Sequence, residues 1–315
     1  MSYQRRPLTR SRRIGIAMAS LVALLLTVAV ANGPLPAADA QTTETTTTIA
    51  PPTSSSIPPV AQPDTAAWLG DSFSAGEGVP PFLTGTDTLT NRCHRSTRAY
   101  GMRLTGKPGF PSKSVFAACS FAFISNFYSG QGQWGEKGQL ENLTTQHKLV
   151  ALTLGGNDIG FVGWMTLCIN SANCQLNDPL VRVLIANTQP RLAKLYGDIM
   201  RAAPRAHIYI LGYPHAFARN VSLSCRVQGL QNLEARWFNA KVDELNGVIK
   251  NAIAQNASAR LHYVDTTDAF LGGEACSPSH QFMNELMVNI DYSFHPTASG
   301  QLMLASKLAH AVRRT

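Results

Sequence analysis

The sequence predicts an α/β protein of three layers, α/β/α, built on a central five-stranded parallel sheet. Three observations predict it. Five short apolar runs have the length of buried strands: Ala66–Leu69, Val115–Ala118, Leu149–Leu154, Ile208–Leu211 and Leu261–Val264. Helix-like stretches alternate with them, around Arg98–Leu104, Pro179–Ala203, Leu230–Ala254 and Ala298–Arg313. The composition, 44% hydrophobic and 15% charged, is enough to bury a full core. Alternation of this kind argues for a parallel sheet covered by helices on both faces. In such sheets ligands bind at the carboxyl ends of the strands.

The first 64 of the 315 residues stand apart from this pattern. Residues 1–13 are basic, Ile14–Ala31 is apolar, and Ala38-Asp39-Ala40 is a small-x-small tripeptide. This is the layout of a signal peptide over residues 1–40, cleaved after Ala40, with Ala37 and Ala38 as neighbouring choices. The apolar stretch is 18 residues long, the edge of what spans a bilayer, so an uncleaved anchor is the competing reading. Residues 41–64 are rich in Thr, Ser and Pro and cannot bury enough apolar surface to fold. They read as a disordered tether. The folded domain is expected over residues 65–315.

The net charge is +8, but five arginines and one acid lie in the first 40 residues, leaving 22 basic against 18 acidic residues for the remainder. No basic stripe with interleaved aromatics is present, so no nucleic-acid partner is expected. Six cysteines, an even number in an exported chain, argue for disulfides. None has CxxC spacing, which argues against a zinc or redox site. Fifteen pairings are open in principle, and loop length favours Cys168 with Cys174. Gly130-Gln131-Gly132-Gln133-Trp134-Gly135 matches GxGxxG, but it neither follows a convincing strand nor opens a helix. No GxSxG, HExxH or histidine/carboxylate cluster occurs, so no metal or cofactor is expected.

Taken in order, the first apolar run ends in Leu69-Gly70-Asp71-Ser72-Phe73-Ser74-Ala75-Gly76-Glu77-Gly78. A strand running into a glycine-flanked turn can hold a serine nucleophile, because the strand fixes the backbone and the glycines let the chain turn sharply. A serine at such a place is more commonly a turn or capping residue, so it needs partners. The third run leads into Gly155-Gly156-Asn157-Asp158, whose amide could donate to an oxyanion and whose plainer reading is a tight turn. In the next helical stretch Pro179 suits a first turn capped by Asn177 or Asp178, and Pro190 predicts a kink or a break into two helices. The last helix follows Asp291-Tyr292-Ser293-Phe294-His295-Pro296, which offers a histidine in a restrained turn. The other seven histidines read as surface or hydrogen-bonded residues.

Gly70-Asp71-Ser72-Phe73-Ser74, Gly155-Gly156-Asn157-Asp158 and Ser293-Phe294-His295-Pro296 together resemble three motif blocks of the SGNH (GDSL) hydrolases. The look is nearest to the secreted actinobacterial lipase/esterase branch, from Ala66 to the C-terminus. The resemblance implies a flavodoxin-like sheet, Ser72 as nucleophile, and His295 as general base and then general acid. It implies an oxyanion hole from the Ser72 N–H, Asn157 and a backbone N–H in the second block. It also implies disulfides Cys93–Cys119 and Cys225–Cys276 beside Cys168–Cys174.

Two departures from the family pattern stand out. The position three before the histidine, often aspartate, is Tyr292, and Asp291 is offset by one. The imidazole is then expected to be oriented by the carbonyl of Tyr292 or Ser293, with Asp291 the lesser candidate. In Ala118-Cys119-Ser120-Phe121-Ala122, Phe121 stands where the secreted branch has glycine. A phenylalanine donating from φ > 0 is strained, and its ring could narrow the acyl pocket.

The implied function is a secreted or cell-envelope serine esterase or lipase acting on small-molecule or lipid esters, monomeric and without a cofactor. A polysaccharide O-deacetylase is the alternative within enzymes. A catalytically silent envelope-binding protein is the rival outside them.

Overall fold

Ala66, Ala67, Trp68 and Leu69 are apolar without alternation and wholly buried, as the centre of a sheet covered on both faces requires. They form the core of β1 (Thr65–Gly70). The computed structural model describes residues 64–315 other than 171–172, 224, 226, 228–229 and 280. The expected signal peptide and tether lie outside the described residues, Asp64 excepted. The remaining strands are β2 (Lys113–Phe116), β3 (His147–Thr153), β4 (His207–Leu211) and β5 (Leu261–Val264). All pair in parallel, in the order β2-β1-β3-β4-β5. Each apolar run of the sequence became a strand, with ends moved by at most two residues.

The helices are α1 (Ser72–Ala75), α2 (Tyr100–Leu104), α3 (Asn126–Ser129), α4 (Phe161–Asn170), α5 (Asp178–Ala202), α6 (Asn232–Gln255) and α7 (Ala298–Val312). Strand order runs one way from β1 to β2 and the other way from β3 to β5. Right-handed crossovers therefore place the connecting helices on opposite faces. α5 packs along α6 on one face, and α2 along α7 on the other. Gly101 of α2 has a packing reason: a Cβ there would sit 2.4 Å from the Trp68 ring.

Two local expectations change. Asn177 does not cap α5 with its side chain, which donates to the Cys174 carbonyl instead. α5 also runs unbroken through Pro190, so the expected division into two helices does not occur. Pro190 and Ala186, whose carbonyl loses its donor, both face solvent, where water can serve the freed group. Buried Val181, Ile185, Leu192 and Leu195 hold the helix on either side. Disulfides join Cys93–Cys119, Cys168–Cys174 and Cys225–Cys276.

Candidate active site

At the end of β1 the chain turns on Gly70, whose φ of +116° favours glycine. A Cβ on Gly70 would meet the Ser74 Oγ at 2.5 Å and the Thr153 carbonyl at 2.4 Å. Asp71 then caps α1, accepting from the Phe73 N–H at 3.1 Å, and Ser72 is the first residue of the helix. Gln301 of α7 braces this turn, donating to the Phe73 carbonyl at 3.0 Å and accepting from the Tyr100 N–H at 2.9 Å. Ser74 is buried and bonded to Tyr100 and Thr153, each at 2.8 Å. It is thereby fixed as a structural hydroxyl.

The fold brings His295 to Ser72 across 223 positions of sequence. His295 Nε2 lies 2.8 Å from Ser72 Oγ. On the other side of the ring, Nδ1 lies 3.0 Å from the Ser293 carbonyl. A carbonyl can only accept, so Nδ1 carries the proton and Nε2 is free to accept from the serine hydroxyl. Of the three orienting candidates only Ser293 touches the ring. The Tyr292 carbonyl is occupied by Asn284 Nδ2 at 3.1 Å. Asp291 is turned away and pairs with Arg92, so the one-residue offset from the family position aims its carboxylate elsewhere. Dense packing lowers the His295 pKa from its ordinary value, which keeps the ring neutral and basic near pH 7.

Three loops meet at the carboxyl ends of β1, β2 and β3. After β2 the chain stays beside β1: Ala117 and Ala118 donate to the Trp68 carbonyl and Cys119 to that of Gly70. This carries Ser120 and Phe121 toward Ser72. The Phe121 backbone has φ +61°, the left-handed region. Its ring is half-exposed and packs edge to face on Trp134, with centroids 6.3 Å apart. The N–H groups of Ser72 and Phe121 have no hydrogen-bond partner among the described residues.

After β3, Asn157 Nδ2 donates to the Ala122 carbonyl at 3.0 Å, and its second N–H is unpaired among the described residues. Asp158 accepts from the Ile124 N–H at 3.1 Å and from Arg191 at 2.7 Å. Burial pushes its carboxyl up to about 6, against the pull of Arg191 and Ile124. Asn157 and Asp158 thus clamp the loop that carries Phe121. His94, Phe121 and Phe294, each at positive φ, all lie on loops of this site. Strain in such conformations costs about 1–3 kcal/mol each and persists where surrounding contacts impose it.

Sequence reasoning passed over Tyr213 and Thr153. Both hold Asp71: Thr153 Oγ1 donates at 2.6 Å and the Tyr213 hydroxyl makes a short bond. Burial pushes the Asp71 carboxyl up to about 6, opposed by these two donors and by Phe73. At neutral pH it is mostly ionised and accepts from all three. The Tyr213 hydroxyl also accepts from the Gly156 N–H at 3.0 Å, so one side chain ties the serine turn to the glycine loop. Burial and then the Asp71 charge raise the Tyr213 pKa well above its ordinary value, which keeps it a phenol and a donor. Its place at the carboxyl end of β4 is a signal that the sequence does contain.

An activated serine, a histidine held in the accepting tautomer and several unpaired donors can carry out acyl transfer. Residues 68–302 match the model of the GDSL-like Lipase/Acylhydrolase family. Lipase 1 of Streptomyces coelicolor is 32% identical over 237 residues, covering 74% of this chain and 81% of that protein. A lipase of Streptomyces rimosus is 31% identical over 236 residues, with the same shares. Among solved structures, the extracellular lipase from Streptomyces rimosus is 28% identical with a TM-score of 0.67, covering 79% of this chain and 100% of that one. The phospholipase A1 from Streptomyces albidoflavus NA297 is 29% identical with the same TM-score and shares.

Proposed function

The chain belongs to the GDSL-like lipase/acylhydrolase family and is a carboxylic ester hydrolase, and from that premise we propose that it cleaves acyl esters of lipids through an acyl-enzyme on Ser72. The 2.8 Å contact between Ser72 Oγ and His295 Nε2 carries this reading. In the first step Ser72 Oγ passes its proton to Nε2 and attacks the ester carbonyl carbon. The oxyanion is received by the N–H groups of Ser72 and Phe121 and by Asn157. The imidazolium returns the proton to the leaving alkoxide. A water, deprotonated in turn by His295, then releases the acid and restores the serine.

In this reading Asn157 stabilises charge that exists only after attack. Asn157→Ala is therefore expected to lower kcat by about 10²–10³-fold, or about 2.7–4 kcal/mol, with KM little changed. Steady-state kinetics on a soluble ester check this, and a change confined to KM would remove Asn157 from the oxyanion hole.

A lipid acyl substrate is favoured by apolar side chains left exposed on the loops that carry the site. Phe121 and Phe123 are exposed on the oxyanion loop, Val162 beyond the glycine loop, and Met287, Val288 and Ile290 before His295. The test is hydrolysis of p-nitrophenyl acetate, butyrate and palmitate by the full chain. Each buried methylene contributes about 0.8 kcal/mol, so kcat/KM is expected to rise up to about 15-fold from acetate to butyrate. A preference for acetate would overturn the lipid reading in favour of a deacetylase, and would mean that the Phe121 ring closes the acyl pocket.

We further propose that the enzyme is exported and acts as a monomer, with residues 1–40 as leader and residues 41–64 as a tether holding the domain near the envelope. Support comes from three disulfides, which persist in oxidising compartments. The Streptomyces rimosus relative is described as extracellular. Among the described residues no helix is long and apolar enough to cross a membrane.

A further inference from the structure

Beneath the serine turn lies a buried ionisable cluster that the steps above do not use. Glu77, five residues after Ser72, is 1% exposed. Its carboxylate accepts from His94 Nδ1 at 2.6 Å and from the Ser120 hydroxyl. Both partners directly follow the cysteines of the Cys93–Cys119 disulfide. Ser120 directly precedes Phe121, whose N–H is a proposed oxyanion donor. The Ser120 backbone is held from two further sides, its N–H by the Cys93 carbonyl at 3.2 Å and its carbonyl by Gln131 Nε2 at 2.9 Å.

The same segment also touches the histidine loop. A Cβ on Gly78 would lie 3.0 Å from Asn284 Nδ2 and 3.3 Å from the Tyr292 side chain. Asn284 in turn holds that loop, donating from its amide to the Tyr292 carbonyl and from its backbone to that of His295 at 2.9 Å. The His94 ring packs at right angles to Tyr292, with centroids 6.4 Å apart.

We propose that Glu77 is a positioning residue that joins the two halves of the site, fixing the oxyanion arm through Ser120 and presenting to His295 the negative charge that Asp291, turned to Arg92, does not. The Ser293 carbonyl sets the tautomer, but a dipole steadies an imidazolium less than a full charge does. Burial lowers the His295 pKa most, Glu77 acts in the opposite direction with the Ser293 carbonyl, and His94 acts with burial. Beyond His94 stands Asp87, half-exposed at 3.4 Å from Nε2, and the partly exposed Arg92–Asp291 pair flanks Tyr292. Glu77 is thus a buried anion whose action on His295 solvent screens little. Asp71, bonded to Thr153 and Tyr213, and Glu285, bonded to the Cys276 N–H, are the other buried carboxyl groups on the segments that meet here.

This inference rests on the esterase reading of Ser72 and His295, and two readouts separate the failure of one from the failure of the other. In the full-length chain, Glu77→Gln keeps the shape and removes the charge. It is expected to lower kcat about tenfold and to move the acid limb of the kcat/KM profile down by about half a pH unit or more. Glu77→Asp keeps the charge, and its limb is expected to stay near the wild-type position. The His295 C2–H resonance, assigned with His295→Gln and titrated by NMR, reads the same shift in a chain that hydrolyses no ester. An unmoved titration in Glu77→Gln overturns the proposal even where kcat falls. Should Glu77→Gln not fold, Ser120→Ala decides: the proposal expects kcat to drop with the limb in place, and unchanged kcat overturns it.

Discussion

Replacing Ser72 with alanine is expected to reduce ester hydrolysis by about 10⁴-fold or more, a loss of at least about 5.5 kcal/mol of transition-state stabilisation. The variant keeps Phe121 and Asn157, the proposed oxyanion donors, so a residual rate above that of water is also expected. Among the described residues the Ser72 hydroxyl contacts only His295, so folding should be unaffected and circular dichroism should match the wild type. Ser74 cannot take over the reaction, being buried and bonded to Tyr100 and Thr153. Hydrolysis of p-nitrophenyl butyrate at more than a tenth of the wild-type rate would remove Ser72 from the mechanism.

His295→Ala is expected to cost as much, because an unactivated serine is a poor nucleophile. The two losses should not add: Ser72→Ala combined with His295→Ala is expected to be no slower than either alone, since the pair acts as a unit. The wild-type pH dependence follows from the lowered His295 pKa. The base works in its neutral form, so kcat/KM should be full at neutral pH and fall as pH drops through a limb below 6.5, the ordinary histidine value. A limb above 6.5 would mean that charge near the ring outweighs its burial. Additive losses in the double variant would show that serine and histidine serve separate steps.

The order of the five strands in sequence and the helical stretches between them were legible because a doubly covered strand must be apolar along its length. Trp68, Leu69, Val150 and Leu152 carry that signal locally. Ser72, Asn157 and His295 were legible as candidates because each follows a strand end or precedes a helix within a few residues of recognisable turn chemistry. Of the kink or break expected at Pro190, the break did not occur, because the cost of a proline depends on which face it occupies, and the sequence around it does not declare that α5 turns it to solvent. Asp291 was the lesser candidate, one residue off the position where the resemblance implies an aspartate. Its carboxylate went to Arg92, a residue 199 positions away.

The sequence by itself determined the α/β class, the strands, and the chemistry available at their carboxyl ends, since these rest on composition and spacing over short windows. Only the tertiary structure decided which groups meet. It chose the Ser293 carbonyl over that of Tyr292 for the imidazole. It set Phe121 in a left-handed conformation, joined Tyr213 to both Asp71 and Gly156, and buried Glu77 between His94 and Ser120. The physical reason is range: propensity and patterning act over a few residues, whereas each of these contacts depends on the direction of a single hydrogen bond between segments that only packing brings together.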